Sequence, residues 1–239
     1  MNVQLFIPCF IDQLYPQVAF NMVKVLEKVG CTVKYNPNQT CCGQPAFNAG
    51  FWSESKSVCD KFLDDFNGTD YIVAPSASCT GFVRNYYGKL YENSAQINIA
   101  KKTSARIYEL SDFLINVLKI DDVGATFNGK VTYHDSCAAL RECNIKTEPR
   151  TLLCKVKGLE LVEMNDVETC CGFGGSFAVK YDTISTSMAD QKIDNAIATN
   201  AEYIVSTDTS CLMHLEGILK RNGSPIKTIH IAEILNSAL

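Results

Sequence analysis

Cysteine is the residue type with the most chemical potential in this sequence. It accounts for 12 of the 239 residues, and eight of the twelve recur as two matching sets. A Cys-Cys-Gly triplet occurs at 41–43 and again at 170–172, each with one cysteine upstream and one downstream at nearly equal spacing. Four converging thiolates suit tetrahedral Zn²⁺ or an iron–sulfur cluster. We therefore predict two metal centres, with the ligands Cys9, Cys41, Cys42 and Cys79 in one and Cys137, Cys170, Cys171 and Cys211 in the other.

The repeat decides between metal ligation and the simpler explanations for so many cysteines. A single cysteine is more often a buried apolar side chain than a ligand. A vicinal pair that recurs together with its flanking partners is poorly explained in that way. The remaining cysteines have no partner in the repeat, and we assign them to the core or the surface: Cys31, Cys59, Cys143 and Cys154.

The elements that must position these thiols form a tandem duplication, with halves at 1–124 and 125–239. In each half, short apolar runs of strand length alternate with amphipathic helical patterns, which is typical of parallel α/β structure. We expect two tandem, pseudo-symmetric, Rossmann-like units, each a small parallel sheet flanked by helices. The predicted strands are 3–7, 31–35, 71–74 and 105–108, then 130–133, 159–163, 203–206 and 226–229. The predicted helices of the first half are 16–29, 54–66, 78–90 and 111–118, the last with Ser111 as its N-cap.

The cysteines of each set follow predicted strands. Because the carboxyl ends of parallel strands lie along one edge of a sheet, residues distant in sequence converge there. Neighbouring side chains of an extended strand point to opposite faces, so both thiols of a vicinal pair can meet one ligand only if the backbone turns sharply. Gly43 and Gly172 permit that turn.

Composition excludes several classes of function. The formal net charge of −4 and the pI near 5.4 argue against a general nucleic-acid-binding protein. The sequence has no run of about 18 apolar residues that would span a membrane. The first ten residues lack the basic stretch of a secretory signal. We expect a cytoplasmic protein with reduced thiols, in which disulfides are disfavoured. The run 172–175 lacks the order of a nucleotide-binding loop, and no catalytic residue can be assigned.

These motifs resemble the duplicated, cysteine-rich CCG domain. That domain occurs in the cysteine-rich subunit of heterodisulfide reductase and in the iron–sulfur subunits of glycolate and glycerol-3-phosphate dehydrogenases. The resemblance spans the whole chain and is most specific to the A-type proteins of lactate utilization. It is carried by four segments: Leu5–Cys9, Gln39–Asn48, His134–Cys137 and Cys170–Phe177.

The resemblance implies an iron–sulfur electron-transfer subunit of a complex that oxidises L-lactate, a 2-hydroxy acid. It implies one cluster per half, of the [4Fe–4S] type. The implied partners are a ferredoxin-type subunit similar to lactate utilization protein B and a second subunit similar to lactate utilization protein C. On this interpretation the chain is one part of an oxidoreductase rather than an enzyme that works alone.

The sequence departs from the heterodisulfide reductase pattern at three positions. Ser76 and Asp208 stand where that family has a fifth cysteine in each half, and Ala138 stands where it often has histidine. Ser76 or Asp208 could donate an oxygen ligand, and His134 could ligate metal or tune a cluster from outside the ligand set. Two alternatives stay open: a structural or interaction subunit stabilised by zinc, and a thiol–disulfide-active subunit.

Overall fold

Two four-stranded parallel sheets organise the molecule, which is described here from a computed structural model over residues 1–237. The first sheet has the strand order β2-β1-β3-β4 and the second has β6-β5-β7-β8. Both orders place the first strand of a half at the centre, beside the strand that precedes the last cysteine. The strands are β1 (Asn2–Leu5), β2 (Thr32–Tyr35), β3 (Tyr71–Ala74), β4 (Ile107–Glu109), β5 (Thr126–Tyr133), β6 (Lys157–Leu161), β7 (Tyr203–Ser206) and β8 (Lys227–His230).

Helices connect the strands on both faces of each sheet, so the predicted α/β class with two tandem units is confirmed. In the first half they are α1 (Cys9–Leu14), α2 (Pro16–Lys28), α3 (Gln44–Asn48), α4 (Trp52–Asp65), α5 (Ala77–Tyr86), α6 (Ser94–Ser104) and α7 (Leu110–Asp112). A 3₁₀ turn (Tyr87–Leu90) follows α5, and a π-helical turn (Phe113–Val117) follows α7. In the second half they are α8 (Cys137–Glu142), α9 (Thr147–Leu153), α10 (Ser176–Lys180), α11 (Asp182–Ile197), α12 (Thr209–Arg221) and α13 (Ile231–Leu235).

Most elements lie close to their predicted positions, and the differences have local causes. The prediction that Ser111 caps a helix is wrong. The Glu109 carboxylate accepts the Ser111 N–H at 2.7 Å and the Asp112 N–H at 3.3 Å, so Glu109 is the N-cap of α7. Helix α6 was not predicted. It buries only Ala100 and Thr103, too few positions to produce a clear amphipathic pattern.

A shared apolar core joins the two halves. It contains Val3, Leu5 and Met22 from the first half and Val131 and Leu152 from the second. Helix α2 packs on α13, and the matching pair α7 and α9 packs in the same way, so the halves are related by an approximate two-fold axis. Separate apolar clusters fill the outer face of each half. Within residues 1–237, no helix combines the length and the apolar character needed to cross a bilayer.

Candidate metal centres

The first cysteine set converges beyond the carboxyl ends of β1, β2 and β3. Cys9 begins α1, Cys41 and Cys42 lie in the loop between β2 and α3, and Cys79 lies in the first turn of α5. The thiols of Cys9 and Cys42 interact with the Cys41 sulfur, and Cys42 also interacts with Cys79. The structure therefore brings together all four cysteines that the sequence predicts for this site.

The second set has the same arrangement. Cys137 begins α8, Cys170 and Cys171 lie in the loop after β6, and Cys211 lies in the first turn of α12. The thiols of Cys137 and Cys171 interact with the Cys170 sulfur, and Cys171 also interacts with Cys211. All twelve cysteines are free thiols, so neither set is closed by a disulfide.

A glycine after each vicinal pair gives the loop its turn. Gly43 has φ = 93° and Gly172 has φ = 91°, in the left-handed region that glycine adopts at no steric cost. The Gly43 N–H points at the Cys41 sulfur, and the Gly172 N–H points at the Cys170 sulfur, each with an N–S distance of 3.4 Å. The predicted role of these glycines as turn residues is confirmed.

The electrostatics of each site favour one thiolate before any metal binds. Hydrogen bonds from Cys42 and Cys9 lower the pKa of Cys41, and those from Cys137 and Cys171 lower the pKa of Cys170. The same contacts raise the pKa of Cys9. In addition, α1 and α5 direct their N-terminal ends, which carry a partial positive charge, at the first site. A metal ion that takes all four sulfurs must release the protons of the other thiols.

The backbone of the first vicinal pair is held by two buried side chains that pattern reasoning did not find. The Cys42 carbonyl accepts a hydrogen bond from the Tyr87 hydroxyl at 2.8 Å and a longer one from the Cys59 thiol at 3.6 Å. Burial raises the pKa of Cys59 to about 11. Cys59 therefore supports the loop as a neutral thiol, consistent with its assignment to the core.

The other three cysteines without a repeat partner also lie outside the two sets. Cys31 is buried in the core between the halves, Cys143 is half-buried against α5, and Cys154 is exposed. Their distribution between core and surface agrees with the sequence interpretation.

Ser76 and Asp208, the two candidate oxygen donors, hydrogen-bond to each other across the approximate two-fold axis. Asp208 Oδ1 accepts from Ser76 Oγ at 3.1 Å and from the Ser78 N–H at 3.1 Å. Its Oδ2 accepts from Ser136 Oγ. Asp208 is completely buried, and burial raises the pKa of its carboxyl group. The two positions where a related family carries extra cysteines are here used to join the halves.

His134 lies at the second site, directly after β5. One of its ring nitrogens and the sulfurs of Cys171 and Cys211 all lie within 4.8 Å of one another. The imidazole is fully buried, and neither of its nitrogens has a hydrogen-bond partner among residues 1–237. The following residue, Asp135, forms a bidentate ion pair with Arg150 at 2.8 and 2.9 Å, which fixes this segment. The structure thus places a fifth donor beside the four cysteines of this site.

The donor sets fit the groups that the sequence suggests. Each site gathers four thiols of which one is already stabilised as a thiolate, which is the chemistry that zinc and iron–sulfur clusters require. Duplicated parallel α/β units whose sheet edges each gather four thiols define a tandem cysteine-rich domain protein.

Comparison with known proteins agrees with this class. The cysteine-rich domain CCG matches residues 3–84 and 131–216. The chain is 44% identical over 237 residues to lactate utilization protein A of Geobacillus sp. (strain WCH70), covering 99% of this chain and 100% of that protein. It is 40% identical over 237 residues to lactate utilization protein A of Bacillus subtilis (strain 168), again covering 99% and 100%. The chain belongs to the CCG cysteine-rich domain family and, within it, to the family of lactate utilization protein A.

A solved structure shares the fold. The crystal structure of a hypothetical protein from Helicobacter pylori superposes with a TM-score of 0.55 at 11% sequence identity, covering 98% of this chain and 48% of that chain. At this identity the likeness concerns the architecture alone.

Proposed function

We propose that this chain is the iron–sulfur electron-transfer subunit of a multi-subunit complex that oxidises L-lactate or a closely related 2-hydroxy acid. Each half holds one cluster, ligated by its four cysteines. The observation that carries the proposal is the convergence of four thiols at the edge of each sheet, in the same arrangement twice. The lactate assignment comes from the full-length similarity to proteins named lactate utilization protein A.

The residues of each site have separate tasks in this proposal. The cysteines supply the negative charge that binds iron, and the glycine N–H groups donate to cysteine sulfur and stabilise that charge. A bound cluster supplies one-electron redox chemistry. Because the nucleotide-binding fingerprint is missing from the sequence, the substrate's electrons reach this chain through other subunits. We propose a ferredoxin-type partner similar to lactate utilization protein B and a further partner similar to lactate utilization protein C.

Anaerobic purification followed by metal analysis tests the proposal. We expect about four irons and about four sulfides per half, with visible absorption that bleaches on reduction. Reoxidation of the clusters by the ferredoxin-type partner would place the chain in an electron-transfer path. One zinc ion per half, with no visible absorption, would contradict the proposal.

The second candidate function is a zinc-stabilised structural or interaction subunit. It is favoured by the group formed by His134, Cys171 and Cys211, because zinc is often bound by mixed histidine and cysteine ligands. Zinc does not change oxidation state, so this function excludes electron transfer through that site. The metal analysis separates the two candidates. The third alternative, a cycle of the vicinal thiols through a disulfide, predicts two-electron titration of each pair in metal-free protein.

A further inference from the structure

The two cysteine sets are closely alike, but a residue that lies behind them differs between the halves. Phe6 and His134 occupy the same position after the first strand of each half. The Phe6 N–H donates to the Val73 carbonyl at 3.0 Å, and the His134 N–H donates to the Val205 carbonyl at 2.8 Å. The same backbone position therefore holds an apolar ring in the first half and an imidazole in the second.

A second pair of equivalent positions, on α4 and α11, also has an apolar residue in the first half and a polar residue in the second. Ser55 on α4 donates to the Gly43 carbonyl at 3.0 Å, and Ser185 on α11 donates to the Gly172 carbonyl at 2.8 Å. The two serines therefore occupy equivalent positions. When α4 and α11 are aligned on them, Phe62 corresponds to Lys192.

The matched residues lie near each other in each half. In the first, the rings of Phe6 and Phe62 pack edge to face with centroids 4.8 Å apart. In the second, Lys192 is only 1% exposed, and its ammonium group donates to the carbonyls of Asp166 at 2.7 Å and Val167 at 3.0 Å. Its charge acts on His134, where it lowers the pKa after the larger effect of burial. An apolar aromatic pair is thus replaced by a buried polar pair that contains a cation.

Both members of the polar pair face the second cysteine set. The Lys192 ammonium is held by the carbonyls of Asp166 and Val167, in the segment that leads into Cys170, and a ring nitrogen of His134 is within 4.8 Å of the Cys171 and Cys211 sulfurs. The potential of an iron–sulfur cluster depends on nearby charge, hydrogen bonds to sulfur and solvent exposure. A buried cation and a hydrogen bond to sulfur both stabilise the reduced, more negative cluster.

Solvent exposure acts in the opposite direction. Cys9 is exposed, whereas its counterpart Cys137 is half-buried, so water stabilises added charge better at the first site. The deeper burial of the second site also strengthens the field of Lys192, because charges interact more strongly at low dielectric constant.

We infer that two residues give the second cluster a higher reduction potential than the first: Lys192, as a buried cation, and His134, whose ring nitrogens have no partner among residues 1–237 and are free to donate to a sulfur of a bound cluster. The inference rests on the proposed function, since it requires a cluster in each half. A higher potential means that an electron that enters the chain preferentially reduces the cluster of the second half.

An anaerobic redox titration followed by electron paramagnetic resonance tests this assignment. Cys170→Ser and Cys41→Ser, each expected to retain only one cluster, assign the two signals to the first and second halves. His134→Phe and Lys192→Met in the full chain are each expected to lower the potential of the second cluster and leave the first unchanged. Phe6→Leu is the matched control. It alters packing at the equivalent position without a change of charge, and it should leave the second potential unchanged.

The outcomes separate this inference from the proposed function. Absence of iron and sulfide from the wild-type protein would overturn both. Two clusters of equal potential, or a second cluster that neither variant shifts, would overturn the inference alone. If Lys192→Met fails to fold, His134→Phe decides the result. Pulsed resonance that detects a nitrogen bound directly to iron would show His134 to be a ligand and would overturn its role as a hydrogen-bond donor.

Discussion

The two halves of the molecule share their thiols and the turn that positions them, and differ in several of the side chains packed behind them. The cysteines, the glycine turn and the serine that holds it recur with matching geometry. The residues packed behind the cysteines differ. At the first site the Cys42 carbonyl accepts hydrogen bonds from Tyr87 and Cys59. At the second site His134 lies beside Cys171 and Cys211. Duplication has therefore preserved the cysteine set and allowed its environment to diverge.

This difference shows which parts of a duplicated site are set by chemistry. A four-thiol site requires the turn and the sulfurs in each half, whatever the site's potential. The residues behind it can change freely as long as the core stays filled. Divergence there gives one fold two sites with separate properties.

The largest expected effect comes from the removal of one thiol. Cys41→Ser should remove the first cluster and leave the second, and Cys170→Ser should do the reverse, with a loss of about four irons each. Iron and sulfide analysis of anaerobic samples measures this. Cys154→Ser, at an exposed cysteine outside both sets, is the control and should retain all the iron. Loss of both clusters from either variant would show that the sites do not assemble independently.

The glycine turns allow a second comparison. A Cβ at Gly172 would lie 2.5 Å from the Ser185 carbonyl oxygen, whereas one at Gly43 would lie 3.1 Å from that of Ser55. Both substitutions to alanine incur the cost of a left-handed conformation, about 1–2 kcal/mol. The backbone overlap raises the cost of Gly172→Ala to about 3 kcal/mol.

Urea unfolding of the two alanine variants measures that difference in the free energy of unfolding. Gly30→Ala is a suitable control, because its φ of 84° is similar and a Cβ there would meet no atom within 4 Å. Equal losses at positions 43 and 172 would contradict the packing difference between the halves.

The contact between the halves gives a third, smaller effect. Asp208→Ala removes the acceptor for Ser76, Ser136 and the Ser78 N–H, and we expect a loss of about 2 kcal/mol. Ser76→Ala removes one donor and should cost about 1 kcal/mol. Asp208→Asn, which keeps a carbonyl acceptor, should fall between them in urea unfolding. A Ser76→Ala variant that is less stable than Asp208→Ala would show that the carboxyl group is not the centre of this network.

Much of the fold follows from local sequence signals. The strands Tyr71–Ala74 and Tyr203–Ser206 have the predicted bounds, because each is a short buried apolar run with polar residues on both sides. The α6 helix gives little signal because it rests on the surface of α5 and the following 3₁₀ turn with few buried residues. The cap of α7 was misassigned because Glu109 and Ser111 are both polar, and only the backbone geometry shows which side chain accepts.

The candidate sites also combine features that the sequence predicts with features that it does not. Their cysteines could be found because the repeat marks each set twice, and their ligation of a metal remains a prediction. The contact between Asp208 and Ser76 depends on how the halves pack, which no pattern within one half reports. The burial of Lys192 is equally hidden in the sequence, since a lysine in a helical pattern usually marks an exposed face.

The last comparison concerns Glu109 and His230, which occupy equivalent positions at the ends of β4 and β8 and cap α7 and α13. Both are fully buried, with opposite consequences for stability. Burial raises the pKa of Glu109 from 4.5 to about 8, so its contribution is complete below pH 4.5 and is lost as the pH rises through 8. Burial lowers the pKa of His230 from 6.5 to about 4, so stability is lost as the pH falls from 6.5 towards 4.

Glu109→Gln retains a capping oxygen, His230→Asn replaces the Nδ1 acceptor with an amide oxygen, and both remove the titration. Urea unfolding from pH 5 to 8 should show that Glu109→Gln flattens the decline towards pH 8 and that His230→Asn flattens the decline towards pH 5. Each group contributes a slope of at most about 1.4 kcal/mol per pH unit. Other buried groups, such as Asp208, titrate in every variant, so the difference from wild type isolates each residue. If both variants kept the wild-type slope, the two positions would be equivalent in pH dependence as well as in place.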